Sequence, residues 1–184
     1  MDRDQAVALL HSYIKNERLL NHCYASEAVM RALASRLNQD AEKWGLAGLL
    51  HDLDVEAIKA DPKVHGLETA RILESHGCDP EIIHVIRMHN EEATGLERTT
   101  QFEHALAAGE TVTGLIVATT LVYPERKLSA VKPRSVIKRM KEKAFAASVR
   151  RESILECEKA GIPLEEFVTL AIGAMNDISD RLGL

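Results

Sequence analysis

Aromatic residues are scarce in this chain, only 4% of its 184 residues, and there are just five prolines. A core must therefore come mainly from Leu, Ile, Val and Ala, within an apolar fraction of 46%. The three cysteines, Cys23, Cys78 and Cys157, have no C-x-x-C spacing. An odd set so placed argues against a disulfide framework or a zinc ribbon and fits free thiols in a reducing compartment. Positive charge is not in surplus: 23 Lys and Arg stand against 28 Asp and Glu, a net charge of −5. That balance argues against general nucleic-acid binding. The opening MDRDQAVALLHSY lacks the basic-then-apolar layout of a signal peptide. Ala105 to Val122 approaches the length of a membrane span but holds Glu110 and four threonines, so a buried helix is the better reading. A cytoplasmic protein with no membrane partner is expected.

Low-complexity segments and internal repeats are also missing, and no stretch alternates as a strand would. What remains is helical periodicity almost throughout, which predicts an all-α fold in one domain spanning 1–184. Helices are expected over Arg3–Lys15, from near Asn21 with a stripe at Ala25, Val29, Leu33 and Leu37, and over Asp40–His51. Further helices are expected at Val64–His76, Pro80–Asn90, Phe102–Leu121 and from Pro133 onward. Gly77 suits the left-handed residue after a helix, and Asp79-Pro80 suits the start of the next. The last helix has an apolar face from Leu164 to Leu182, which could pack internally or against a second copy.

Histidines sit at the polar ends of these stripes. His22 extends the stripe of Ala25, Val29 and Leu33, and His89 that of Ile82, Val85 and Ile86. His51 closes its helix, His65 stands near the start of the next, and His84 falls off the apolar face. A single inward histidine is usually a hydrogen-bonded core residue, whereas several together suit a metal site. Glu110 is the only charge between Ala105 and Val122. Such a carboxylate needs a cation, a salt bridge from elsewhere, or an edge position reaching water. His51-Asp52 ends an apolar run, LAGLLHDLD, with an imidazole beside a carboxylate. Mixed nitrogen and oxygen ligands suit Fe, Mn, Co or Zn.

The order His22, His51-Asp52, then a late acid resembles the HD-domain metal-dependent phosphohydrolases, and GLLHDLD is close to their central motif. VHGLETA (His65) and VIRMHN (His89) resemble the subgroup with a second metal, and the similarity runs from about Leu20 to Val122, leaving basic and C-terminal helices over 123–184. The tail KLSAVKPRSVIKRMKEKAFAASVRRE is similar to that of small single-domain bacterial HD proteins. The chain departs from the family pattern in having Glu110 in place of Asp, and Asn90 where a second histidine often follows His89.

The resemblance implies that His22, His51, Asp52 and Glu110 hold one metal, and that His65 and His89 hold a second with Asp52 shared. It implies hydrolysis of a small phosphate ester, with a nucleotide the expected substrate; a metal- or nucleotide-binding regulatory protein is the alternative. Asp54 and Glu68 join Asp52 as candidate catalytic carboxylates that orient water or an imidazole, or else face solvent. Arg126 to Arg151 contains ten Lys or Arg and one acid, Glu142. That segment is a solvated basic face or a phosphate-attracting wall, for which Arg126, Lys127 and Arg18 are the candidates. No aromatic interleaving supports nucleic acid as partner.

Overall fold

The computed structural model describes residues 1–184 as eleven α-helices with no strand. These are α1 (Arg3–Tyr13), α2 (Glu17–Arg36), α3 (Ala41–Leu50), α4 (Leu67–Ser75), α5 (Pro80–Met88) and α6 (Glu91–Thr94). They continue as α7 (Gln101–Leu121), α8 (Pro133–Met140), α9 (Arg151–Lys159), α10 (Leu164–Asp177) and α11 (Ser179–Leu182). No helix is long and apolar enough to cross a membrane.

Caps set the boundaries. Asp2 and Thr100 open α1 and α7 with reciprocal capping boxes. Asn16 accepts from the N–H groups of Arg18 and Leu19, so α2 begins at Glu17, four residues before the position its apolar stripe indicates. Asp79 and Pro80 begin α5 as their residue types predict. After α4, Gly77 takes φ +63° and the Cys78 N–H reaches the Leu73 carbonyl. The expected helix from Val64 starts only at Leu67, because Gly66 sits at φ +84°. A side chain at Gly66 would be strained and would stand 3.0 Å from His89. The basic segment is two helices, α8 and α9, joined by turns, not the single helix the sequence suggests.

Helix α7 is the axis of the molecule, packed against α2, α9, α10, α3, α5 and α8. Small residues bring α2 close to two neighbours at once. A Cβ on Gly48 of α3 would lie 2.6 Å from the Ser26 carbonyl oxygen, and one on Gly109 of α7 would lie 2.8 Å from Met30 Sδ. Met30, fully buried, is thus received by glycines on both sides. This close packing places His22 of α2 beside the end of α3 and the middle of α7. Among the few aromatics, Trp44 of α3 stacks on Phe102 of α7 with centroids 4.7 Å apart. The α10 face of Phe167, Val168, Ala171 and Met175 is buried within the chain, so it packs internally.

Candidate metal centre

His51, the residue closing α3, and the following Asp52 are both buried. His51 Nε2 stands 3.1 Å from His22 Nε2 and 3.2 Å from Asp52 Oδ1, and His22 Nε2 is 3.5 Å from Asp52 Oδ2. On the other side, His65 Nε2 lies 3.2 Å from Asp52 Oδ1 and 3.0 Å from His89 Nε2. Two donor groups result, His22–His51–Asp52 and Asp52–His65–His89, and Asp52 belongs to both. Either group could hold a metal ion. Glu110 stands at the edge of the first, 3.8 Å from His22 Nε2, with its other oxygen taking the Thr111 hydroxyl.

Hydrogen bonds on the far side of each ring fix where the protons are. His51 Nδ1 donates to the Gly48 carbonyl at 2.8 Å, and His89 Nδ1 to the Ile86 carbonyl at 2.5 Å. His65 Nδ1 donates to Asp54 Oδ1 at 2.8 Å. The Thr113 hydroxyl gives its hydrogen to the Glu110 carbonyl, so His22 Nδ1, 2.9 Å away, must donate to the threonine oxygen. With a proton on Nδ1 of each ring, all four Nε2 atoms face the same carboxylate, and they stand in two pairs about 3 Å apart. Such convergence is repulsive unless a cation lies among them.

The electrostatics agree. Burial pushes His22 down to about 4 and His89 down to about 3, so both are neutral donors at neutral pH. Burial would raise Asp52, but His51, His65 and His22 around it hold it far below the usual carboxylate range. His65 is buried too, yet the flanking Asp52 and Asp54 lift it to about 10; the cluster recruits a proton where a cation is called for. Burial carries Glu110 up to about 7, outweighing the downward pull of His51 and of the Thr111 hydroxyl.

Several supports were not readable as such. Asp54 is fully buried and accepts from His65, from the Gly66 N–H at 2.7 Å and from the Thr69 N–H at 3.1 Å, tying the turn after α3 to the start of α4. Asn90, in place of a second histidine, donates to the carbonyls of Pro62 at 2.7 Å and His65 at 3.0 Å and so anchors the His65 turn. Thr113 could have been found as the polar residue three positions after Glu110 on an apolar helix. Arg98 could not: it bridges Glu156 and Glu91 and caps the Met88 and His89 carbonyls from a distant loop.

Other candidates stand apart. Glu68 pairs with Arg71 on the surface and does not line the cavity, because α4 turns it outward. Arg126 and Lys127 are also absent from the cavity wall: α7 continues eleven residues past Glu110, about 16 Å, before reaching them. The cation at the cavity is Arg150 instead. Arg18 lines an adjoining groove that shares His22. His84 is exposed and donates to Glu103.

This is an all-helical chain with two His/Asp donor groups, centred on one aspartate, that could hold metal ions. A family model for the HD domain matches residues 19–123, and the chain belongs to the HD-domain family, whose members are generally metal-dependent hydrolases. No curated protein and no solved structure matches the chain.

Proposed function

We propose that this chain is a metal-dependent phosphohydrolase that cleaves a small phosphate ester. The observation that carries this reading is the gathering of four imidazole Nε2 atoms around Asp52 in two donor groups that share it, each of a kind that could hold a metal ion. His22, His51, Asp52 and Glu110 would hold one ion, and Asp52, His65 and His89 a second. Nitrogen with carboxylate oxygen favours Fe, Mn, Co or Zn. When bound, such metals neutralise a phosphoryl group's charge and lower the pKa of water.

The chain's own residues supply the rest. Gly48, Ile86, Asp54 and Thr113 hold the four rings by their Nδ1 hydrogens, keeping each Nε2 free. Asp52 presents an oxygen to each donor group and remains ionised. Glu110 lies at the cavity edge, where its carboxylate can complete the first group or take a proton near neutral pH. The cavity, about 310 Å³, opens over Asp52, His65, His89 and Glu110, which admits a phosphate ester of a small molecule or a compact nucleotide.

Metal analysis on untagged protein tests the reading. At least one tightly bound transition metal per chain is expected in wild type, and far less in His51→Ala; equal content in both would sink it. A panel of phosphate monoesters, diesters and nucleotides with added Mn, Co or Fe then tests turnover. Metal uptake without turnover in any condition would instead mark a regulatory HD protein.

A further inference from the structure

The cavity wall opposite the histidines is built by the segment entering α9, through Ser148, Val149, Arg150 and Ser153. Val149 seats on Gly114, where an added Cβ would lie 3.3 Å from the valine methyl. Gly114 is one turn beyond Glu110 on α7. The N-terminus of α9 therefore enters the cavity about 6 Å along α7 from Glu110.

Two separate features mark this end for an anion. Helix α9 opens at Arg150 with no side-chain cap, so its first-turn N–H groups have no acceptor from a capping residue. Ser153, in the third helical position, is only 6% exposed and lines the cavity, and its hydroxyl has no hydrogen-bond partner in the protein. Opening only to the cavity and unengaged by the protein, that hydroxyl is free to donate to an oxyanion there. Charge at this end is positive as well: Arg150 lies at the rim, loosely steered by Glu91 at 3.7 Å. Arg151 turns the other way and takes the Ala146 and Val149 carbonyls at 2.7 Å each, together with that of Phe145. It thereby engages acceptors of the preceding turn that would otherwise compete for an anion's donors.

The lining also describes the rest of the ligand. Val149 is the single apolar residue among twelve, and the only rings are the imidazoles of His22, His65 and His89, already committed to the donor groups, so a nucleobase would find no Phe, Tyr or Trp to stack on. We propose that the N-terminus of α9, with Arg150 and Ser153, is an oxyanion subsite for a phosphate remote from the metal donors. The substrate is then a small, non-aromatic molecule carrying two phosphates, not a nucleotide. The assignment of the cleaved phosphate to the histidine end rests on the phosphohydrolase reading; the subsite itself does not.

Inorganic phosphate is the probe, followed by calorimetry. Chelator-treated wild type should bind one phosphate per chain, and the Mn-loaded protein two. Ser153→Ala and Arg150→Ala should each weaken the metal-independent phosphate about tenfold, the loss of a charge-assisted contact. Ser153→Asp should abolish it while leaving thermal stability equal or higher, since an acid in the first turn suits a helix N-terminus. No phosphate on chelator-treated wild type, or wild-type affinity in Ser153→Asp, overturns the subsite. A protein that takes up no metal yet binds phosphate in a Ser153-dependent way supports the subsite and defeats the phosphohydrolase reading.

Discussion

Asp54 and Glu68 are both acids near a histidine in the sequence, and the fold gives them opposite standing. Asp54 is buried and holds His65 by its Nδ1 hydrogen, whereas Glu68 meets Arg71 at the surface. Partners that orient a metal-binding imidazole are worth about 10–100-fold in metal affinity. Asp54→Asn should therefore lower metal content toward one ion per chain, with the loss confined to the His65–His89 group. Glu68→Gln should leave content and affinity at wild-type values. Elemental analysis after dialysis against a weak chelator separates the two. A fall in both variants would mean that acidity near the turn matters, not the hydrogen bond. The same comparison says why one acid was hard to tell from the other: Asp54 and Glu68 differ by which way the turn between α3 and α4 faces, and Gly66 sets that.

At the scale of elements, the site depends on how closely helices approach and on what ties their ends. Gly48 lets α3 lie against Ser26 and Met30 of α2, and its carbonyl holds His51. Gly48→Ala drives a methyl into a backbone oxygen 2.6 Å away, which should cost about 1–3 kcal/mol, read as a lowered denaturant midpoint, and weaken the first metal group with it. A second tie joins α9 to the His89 end of α5. Arg98, almost fully buried, forms a two-point pair with Glu156, to which His104 also donates at 2.8 Å. Burial would raise Glu156, but Arg98 and His104 hold it below the usual glutamate value. Its stabilisation is therefore complete above the unfolded value of about 4.3 and disappears as pH falls through the lower folded value. Glu156→Gln should cost about 3–5 kcal/mol at pH 7, because a buried guanidinium loses a partner. The gap from wild type should close as pH falls below the unfolded glutamate value and through the lower folded one. A gap that stayed constant in thermal melts across that range would remove Glu156 ionisation as the cause.

Over the whole molecule, the all-α class and the inward faces of His22 and His89 could be read from periodicity, because each of these imidazoles continues an apolar stripe, whereas His65 lies in the turn before α4 and was legible only by resemblance. The HD pair was legible as a motif, and the structure places it where two donor groups meet. The basic wall was not legible. Charge counts along 126–151 cannot tell which end of that segment returns to the site; the return is made where Val149, just ahead of α9, seats on Gly114 of α7. That architecture concentrates buried, mutually repelling lone pairs and a carboxylate at its centre, with helices α2, α3, α5 and α7 all contributing. An ion there acts on the folded chain alone, since these donors are gathered only by folding. A metal at about 1,000 times its dissociation constant would add about 4 kcal/mol to stability, which for a chain of this size is a shift of roughly 8–16 °C in Tm. Chelation should therefore lower the melting temperature of wild type by that order, and readdition of Mn, Co, Fe or Zn should restore it. Asp52→Ala, which removes the carboxylate shared by both donor groups, should melt at one temperature with or without chelator. If that variant keeps the full metal-dependent shift, the ion binds elsewhere, and the convergence of lone pairs on Asp52 must be satisfied by protons alone.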